Sequence, residues 1–439
     1  MATLTFDDMV TLFHQRLDRL PDRRTGENTQ YSVKDAALGG FSVFFTQSAS
    51  FLAHQRAMKE TKGRSNAETL FRIEQIPSDN QIRSLLDPIK PDELYPVYAA
   101  IEAALDQAGQ LDQFRVLDGQ LLVTLDGTYY FSSKVIHCPN CSERTVTGGE
   151  TLYYHSAITP VVVAPGRSQV VSLEPEFIVP QDGHEKQDCE RAAAKRWMEH
   201  YAAHANPHQI TLLGDDLYSN QPMCQSVLDA GFNFIFVCKP ESHPILYEWL
   251  DYLAANHDID ELDVHHWNGR FTEIAHYRYA SDLPLRAGDD ALIVDWCEIS
   301  VTRGETGEVL YHNAFVTNHR LTEQSVVPIA RAGRARWKIE NENNNVLKTK
   351  GYHVEHNFGH GSQYLASFLL TLNLLAFLFH TVLELTDAKY RLLRQELAAR
   401  QTFFNDVRTL TRYFCFDSWQ HLLDFMITQL ELQPKLDTS

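Results

Sequence analysis

The feature that most constrains the fold of this chain is a run of twenty residues without a charged side chain, residues 364–383. As a helix, such a run is long enough to cross a bilayer, and the alternative is a helix that is buried on all sides in a protein core. The run stands alone and contains Ser367, Thr371, Asn373 and His380, which favours the buried helix. We therefore expect no membrane partner, and the rest of the chain has to cover this helix.

The spacing of apolar residues changes along the chain. Residues 1–115 show helical spacing, which predicts a helical N-terminal domain. Beyond them, β-rich runs are followed by alternating strand and helix patterns, which predict a mixed α/β core over 116–242 and 308–365. The β-rich segment 243–307 is predicted to be an insertion in that core, and 366–439 is predicted to be a helical C-terminal region.

Composition indicates a folded protein in a reducing compartment. The apolar fraction is 44% and the seven cysteines are too few for a disulfide scaffold, so we expect a cytoplasmic location. The first residues lack the apolar stretch of a secretory signal. The net charge is −18, from 39 Lys and Arg against 57 Asp and Glu, so any nucleic-acid site must be local. The sequence contains no P-loop or dinucleotide-binding fingerprint, which argues against ATP-driven and dinucleotide-dependent functions.

Two aspartates follow strand-like runs in the predicted core. Asp126 ends the run VTLD, and Asp215 ends the run ITLLGD. Ligand groups converge at strand ends in open α/β sheets, and carboxylate oxygens suit a divalent cation. A single strand-end Asp more commonly caps a turn, but the pair favours a cation site. Because successive strand side chains point to opposite faces, only one of Asp215 and Asp216 can face the site, and Asp216 is the alternative.

A third acid lies in a locally basic segment, residues 331–350. Its acids are Glu340 and Glu342, and its basic residues are Arg331, Arg334, Arg336, Lys338, Lys348 and Lys350. This local reversal of charge is typical of a phosphate-contacting surface, although a basic helix face is often simply solvated. Three acids on separate elements suit phosphoryl transfer with two ions held about 4 Å apart.

These residues resemble the DDE transposases of bacterial insertion sequences. The order Asp126, Asp215, Glu340, with a β-rich insertion between the second and the third, matches that family, and the D-x-x-Y run 215–218 resembles its second-acid motif. Arg336, four residues before Glu340, resembles the Y-x2-R-x3-E-x6-K signature of the third acid.

The chain departs from that signature at two positions. Gly333 stands where the signature has Tyr, and Lys348 lies one residue later than its Lys. The run GYHVEHNFGHG, residues 351–361, is similar to one bacterial branch of these enzymes.

The resemblance implies a fold, an activity and partners. The fold is α/β, a ribonuclease H-like mixed-sheet core interrupted by a β-rich insertion, with a helical N-terminal domain that contributes DNA binding. The activity is DNA cleavage and strand transfer, with Asp126 and Asp215 binding two Mg²⁺ or Mn²⁺ ions and Glu340 completing one site. The partners are double-stranded DNA, at element ends and target, and a second copy of the chain in the DNA complex. The alternatives are a metal-dependent nuclease without strand transfer and a catalytically inactive DNA- or protein-binding descendant.

The third-acid segment predicts a set of DNA contacts if it is a regular helix. At about 100° per residue, Arg336 lies about 40° around the helix from Glu340, and Lys348 about 80°. We expect Arg336 close to the scissile phosphate, Lys348 further out on the DNA backbone, and Trp337 beside or stacked on a base. Glu342, about 200° from Glu340, should point away and be dispensable.

The cysteines form one cluster with metal-ligand spacing. Cys138 and Cys141 form a C-x2-C turn, and one or two histidines, His155 and also His137, could complete a tetrahedral zinc site. Cys189 is a candidate remote ligand. Without a second C-x2-C pair, reduced cysteines in a loop are the alternative.

Overall fold

The computed structural model describes residues 4–22, 24–25, 29–180 and 189–433. The strands are β1 (Arg115–Val116), β2 (Gln120–Thr124), β3 (Gly127–Ser133), β4 (Ser142–Thr145), β5 (Thr151–Ile158), β6 (Val161–Val163), β7 (Val171–Ser172), β8 (Glu176–Ile178), β9 (Ile210–Gly214), β10 (Asn233–Val237), β11 (Asp260–Trp267), β12 (Thr272–Pro284), β13 (Ile293–Arg303) and β14 (Val309–Thr317). The α-helices are α1 (Phe6–Leu17), α2 (Val33–Phe45), α3 (Phe51–Lys59), α4 (Thr61–Phe71), α5 (Asp79–Leu86), α6 (Tyr95–Gln107), α7 (Glu190–Ala202), α8 (Gln221–Asp229), α9 (Pro244–Ala255), α10 (Val326–Arg334), α11 (Asn345–Thr349), α12 (Leu365–Thr386), α13 (Ala388–Glu396), α14 (Arg400–Tyr413) and α15 (Trp419–Gln429). The prediction of a mixed α/β protein is confirmed.

The main sheet has the strand order β11-β12-β13-β14-β10-β9-β2-β6-β7, with β1 added beside β2. Strands β2, β9 and β10 run parallel, and the other pairs in this sheet are antiparallel. The parallel strands are apolar along almost their whole length, as strands covered on both faces must be. The segment predicted to be a β-rich insertion contributes β11, β12 and β13 to this same sheet, and it also contains helix α9.

A second sheet is formed by three strands that lie in the chain between β2 and β6 and by one strand that follows β7. Its order is β3-β5-β4, with β8 paired to β5. The turn between β3 and β4 carries the C-x2-C sequence, and β5 carries His155. The cysteine cluster is therefore built on this small sheet rather than on the main one.

Helix α12 contains the uncharged run and lies at the centre of the helical part of the protein. The Phe379 ring is 4.8 Å from that of Phe41 on α2, and a Cβ added at Gly40 would lie 3.1 Å from Leu372 Cδ1, so the two helices approach closely. The Tyr98 hydroxyl on α6 donates a 2.6 Å hydrogen bond to the Thr371 carbonyl. N-terminal and C-terminal helices thus share one core around α12.

The burial of α12 agrees with the sequence-based prediction of a helix covered on all sides. Among the described residues it is the one helix long and apolar enough to span a membrane, and 94% of its most apolar window is buried inside the protein. Its polar side chains have partners there: the Asn373 amide donates to the Tyr352 carbonyl at 2.9 Å, and His380 Nδ1 lies 2.6 Å from the Tyr352 hydroxyl.

One helix occupies a segment that local sequence reasoning assigns to a loop. Turn-forming residues in 61–69 predict a loop there, yet α4 spans Thr61–Phe71. The Asn66 amide donates 2.7 Å hydrogen bonds to the carbonyls of Thr411 and Phe414 at the end of α14. Because packing against α14 stabilises this helix, tertiary contacts outweigh its weak intrinsic propensity.

Candidate functional site

The two predicted aspartates lie at the same end of adjacent parallel strands. Thr124 of β2 pairs with Leu213 of β9, and the Leu125 N–H donates to the Leu213 carbonyl at 3.0 Å. Asp126 therefore comes one residue after that contact, and Asp215 directly after the end of β9. Both carboxylates are half-buried at the carboxyl edge of the sheet, where open α/β sheets collect ligand groups.

The neighbouring acid, Asp216, is occupied by another loop. Its carboxylate accepts hydrogen bonds from the Lys239 N–H at 2.8 Å and from the Ser242 hydroxyl, and His243 Nε2 lies 3.7 Å away. Asp216 thus anchors the connection between β10 and α9. Of the two alternatives, Asp215 is the one whose charge acts on Asp126.

The third predicted acid comes from a helical segment of changing geometry. After α10, the residues Ala335–Trp337 form a 3₁₀ turn, Ile339–Asn344 form a π-helix, and α11 follows. Glu340 is exposed, with 52% of its side-chain surface accessible, and its carboxylate forms a 2.8 Å ion pair with Arg336. A π-turn within a helix is a frequent feature of functional sites.

The other two predicted acids act electrostatically on Asp126. Burial and then the charges of Glu190, Glu340 and Asp215 together raise the pKa of Asp126 to about 7, against the lowering effect of Arg336. Like charges gathered in a partly desolvated site favour a neutralising cation or proton. The three predicted acids are nevertheless not among the described side chains whose ligand atoms all lie within 4.8 Å of one another. Glu340 is turned toward Arg336.

Asn344 is a residue of this site that sequence reasoning missed. Its Nδ2 donates to Asp126 Oδ2 at 3.1 Å, and its Oδ1 accepts from the Thr159 hydroxyl at 3.0 Å. It lies four residues after Glu340, so the π-helix holds an exposed acid and a buried amide that orients Asp126. The run of asparagines that follows Glu340 is the feature of the sequence that could have indicated a polar residue of the site here.

Glu190, at the start of α7, was also missed. Its Oε1 accepts a 2.8 Å hydrogen bond from Tyr218, and it accepts one from the Gly127 N–H. A Cβ at Gly127 would lie 2.5 Å from Glu190 Oε2, so the position next to Asp126 has room only for glycine while Glu190 stays in place. Burial and the Asp215 charge raise the pKa of Glu190. A fourth carboxylate thus borders Asp126 and Asp215.

The irregular helix corrects the rotational prediction for the residues around Glu340. A π-turn closes its hydrogen bond over five residues rather than four, so it holds one residue more than an α-turn. The angle between Glu340 and Lys348 is therefore not the about 80° of a regular helix. Lys348 Nζ forms a 2.9 Å ion pair with Glu355, Trp337 is 40% exposed, and Glu342 acts on Lys338 rather than on Asp126.

Close packing leaves room only for glycine at position 333. A Cβ there would lie 2.8 Å from the Phe315 ring and 3.0 Å from Ile235 Cγ2. Helix α10 therefore rests directly on β14 and β10, and no larger side chain fits between them. This packing brings the start of the third-acid segment close to the sheet.

The cysteine cluster contains four potential metal ligands from three parts of the chain. They are Cys138, Cys141, His155 and His360, whose ligand atoms all lie within 4.8 Å of one another. Cys141, His155 and His360 are buried, and Cys138 is half-buried. The Sγ–Sγ distance is 3.9 Å, Cys141 Sγ lies 3.4 Å from Nε2 of each histidine, and the two Nε2 atoms are 3.1 Å apart.

These separations fit tetrahedral coordination. Bonds of about 2.0–2.3 Å place the ligands of a tetrahedral zinc ion about 3.3–3.8 Å apart. His360 Nδ1 lies 2.9 Å from the Gly361 carbonyl, and an Nδ1–H donated there leaves Nε2 as the ligand atom. The residues therefore fit Zn²⁺.

His137 and Cys189 are not among these four residues. The His137 ring stacks on Tyr153 with centroids 4.4 Å apart, and the residue is exposed. Cys189 is exposed at the start of α7. The fourth potential ligand is His360, which lies more than 200 residues from the cysteines in the chain. The His-rich run 351–361 was its only local signal.

Comparison of the chain with protein-family models and with curated protein sequences finds no match. The functional conclusion therefore rests on the residues and geometry described above.

Proposed function

We propose that the protein is a cytoplasmic DDE transposase that cuts DNA at the ends of an insertion sequence and joins the freed 3′ hydroxyl to target DNA. The observation that carries the proposal is the gathering of Asp126, Asp215 and Glu340, with Arg336, at the carboxyl edge of two adjacent parallel strands. Double-stranded DNA is the proposed substrate, and a homodimer is the proposed assembly in the DNA complex.

The core proposed to be ribonuclease H-like is the strand series β7-β6-β2-β9-β10. In this series β2 carries the first acid at its end, its antiparallel neighbours lie on one side, and the parallel strand that precedes the second acid lies on the other. Helix α10 packs on β10 and leads into the third acid. The first two acids thus follow two strands at one edge of the sheet, and the third comes from a helical segment that follows α10.

The donor set fits two Mg²⁺ or Mn²⁺ ions. Carboxylate oxygens are the ligands that these hard cations prefer, and the mutual repulsion that raises the pKa of Asp126 is relieved when positive charge is present. When bound, the ions supply activation of the attacking oxygen and stabilisation of the leaving oxygen. Asp126 and Asp215 would hold both ions, and Glu340 would release Arg336 to complete one site.

The protein's own side chains then orient the substrate. Arg336, freed from Glu340, has a planar guanidinium suited to a phosphate. The Asn344 amide holds the Asp126 carboxylate in place. Attack by water would give cleavage, and attack by a DNA 3′ hydroxyl would give strand transfer, so one site would serve both reactions. Catalysis would come from positioning of the reacting groups and from neutralisation of charge.

We also propose that Cys138, Cys141, His155 and His360 bind a structural Zn²⁺. A closed set of four sulfur and nitrogen ligands leaves no open position for substrate, which is typical of structural zinc. Thiolates suit Zn²⁺ better than Mg²⁺, so the Cys/His site would select Zn²⁺ and the carboxylate site would select Mg²⁺. The ion would join the small sheet to the segment that leads into α12.

The test is a cleavage and joining assay on duplex DNA carrying the sequences that flank the gene, with and without Mg²⁺. The expected result is metal-dependent nicking at the element ends and joined products, both lost in Asp126→Asn and retained in Asp216→Asn. Nicking without joining would favour the metal-dependent nuclease. No nicking with Mg²⁺ or Mn²⁺ would favour the inactive DNA- or protein-binding descendant.

A further inference from the structure

A cavity of about 890 Å³ lies away from both candidate metal sites, between helices α3, α4, α13 and α14 and the segment that follows α11. Its walls carry the cations Lys350, Arg394, Arg400, Arg408 and Arg412 together with two histidines, His54 and His353, and no Asp or Glu of the described residues lines it. In a chain of net charge −18 this is a marked local concentration of positive charge.

Several of these cations lack a neutralising partner. Arg400 lies 3.5 Å from Glu384 and Arg412 lies 3.3 Å from Glu60. Among the described residues, no carboxylate lies within 4.0 Å of the side-chain nitrogens of Lys350, Arg394 or Arg408. Excess positive charge is therefore concentrated at the cavity wall.

The half-buried guanidinium groups are only partly satisfied by the protein. Arg408 donates a 2.8 Å hydrogen bond to the Gln47 carbonyl and further ones to the Thr46 carbonyl and to Asn405 Oδ1, all uncharged acceptors. Arg394 donates to the Leu397 carbonyl at 2.9 Å, but its buried Nε has no hydrogen-bond partner among the described residues. Desolvated cations with unfilled donors are costly unless an anion accepts from them.

The cavity also has an apolar side with one unsatisfied donor. Met58, Leu70, Phe71 and Val407 contribute to the wall. Trp419 lines the cavity as well, is only 1% exposed, and its indole Nε1 has no hydrogen-bond partner among the described residues. Ligand cavities of about 300–1,000 Å³ commonly combine an apolar lining with a few polar groups.

We propose that this cavity binds a phosphorylated ligand of nucleotide size. Guanidinium groups and Lys350 would bind the phosphate, because planar N–H donors match phosphate oxygens, and the apolar wall with Trp419 would contact the base. The same chemistry is presented by a free nucleotide and by the terminal nucleotide of a DNA strand. The proposal stands apart from the proposed transposase activity, since none of Asp126, Asp215 and Glu340 lines the cavity.

The experiment is calorimetric titration of the full chain, without added divalent metal, with deoxyadenosine diphosphate, pyrophosphate and a 5′-phosphorylated oligodeoxynucleotide of four residues. At least one probe should bind, and Arg394→Gln and Lys350→Gln should each weaken that binding about tenfold, as expected for the loss of one charge-assisted hydrogen bond. Lys350 is exposed, so its variant should fold even if Arg394→Gln does not. A tighter mononucleotide indicates a free nucleotide, and a tighter oligonucleotide indicates a DNA strand.

The matched control is Lys389→Gln. Lys389 lies on α13, as Arg394 does, but it pairs with Asp424 at 2.6 Å and does not line the cavity. The Lys389→Gln substitution removes one positive charge, as Lys350→Gln and Arg394→Gln do. Binding by this variant should equal that of the wild type. The proposal is overturned if none of the three probes binds at 1 mM (about 4 kcal/mol of binding free energy), or if Lys389→Gln weakens binding as much as Lys350→Gln.

Discussion

The two candidate metal sites in this protein differ in how completely the fold prepares them. The Cys/His group is buried and compact, with its ligand atoms within 4.8 Å of one another. The carboxylate group lies at an open sheet edge, and Glu340 is exposed and paired with Arg336. The ligand atoms of the first group are already close enough together for one ion, whereas the proposed role of the second group requires Glu340 to move away from Arg336.

This difference follows from the elements that carry each group. A tight turn and two strands of a small sheet hold three ligands of the Cys/His group in fixed positions, and one histidine closes it. The acids come from two strand ends and an irregular helix, and their like charges repel one another. A closed site therefore suits a structural role, and an open, charged site suits substrate and catalysis.

The largest expected effect is the loss of cleavage in Glu340→Ala. Removing the third acid leaves one proposed ion site incomplete, so cleavage should become undetectable while DNA binding and the melting temperature stay close to those of the wild type. Glu342→Ala is the matched control and should remain active, because Glu342 acts on Lys338 rather than on Asp126. An active Glu340→Ala together with an inactive Glu342→Ala would show that the wrong third acid was chosen.

Next in size is the destabilisation expected from Cys141→Ser. A structural zinc site contributes directly to folding, so this variant should lose zinc and several kcal/mol of unfolding free energy, measured by metal analysis and denaturant titration. Cys415→Ser changes an exposed cysteine and should affect neither quantity. Equal stability of Cys141→Ser and the wild type, or purified wild-type protein with less than one zinc per chain, contradicts the prediction.

Glu190→Gln should lower the cleavage rate by about 10–100-fold, the usual cost of removing a group that orients or supports metal ligands. The amide keeps the size of the side chain but removes the charge that borders Asp126 and Asp215. Glu199→Gln, on an exposed turn of the same helix, is the control. If Glu190→Gln cleaves at the wild-type rate and with the wild-type requirement for Mg²⁺, Glu190 does not contribute to the site.

The Mg²⁺ requirement of cleavage should depend on pH through Asp126. Its pKa, raised by burial and by neighbouring acids to about 7, leaves the carboxyl group protonated at lower pH. The ion must then displace a proton, so apparent Mg²⁺ affinity should fall by about tenfold for each pH unit below 7 and level off above it. The measurement is the Mg²⁺ concentration that gives half-maximal cleavage between pH 6 and 8. A constant value over that interval contradicts this assignment.

The smallest expected effect is that of Lys348→Ala on DNA binding. Lys348 is half-buried and paired with Glu355, so it can contribute one phosphate contact at most after leaving that partner. Binding should weaken uniformly across DNA sequences, and the slope of log K against log salt should decrease by about 0.9. An unchanged slope would mean that the ion pair with Glu355 persists in the complex.

Local patterns in the sequence were sufficient for the features that depend on neighbouring residues. The uncharged run predicts the buried helix α12, because a run of twenty mostly apolar residues needs cover on every side. Apolar runs that end in acids place Asp126 and Asp215 at strand ends. The C-x2-C spacing brings two thiols together within one turn. Each of these inferences uses periodicity or spacing over a few residues.

Tertiary structure alone decided which distant residues complete each site. His360 joins the cysteines, and Glu190 and Asn344 border Asp126, because strand order and helix packing bring segments separated by tens to hundreds of residues together. The π-turn at Glu340 breaks the constant rotation assumed for a regular helix, and no local pattern predicts it. Likewise, the basic cavity takes its cations from residues 350–412, whereas α3 and α4, from the other end of the chain, supply much of the remaining wall. Sequence periodicity reports which face of an element is apolar, whereas contacts between elements depend on how those faces pack.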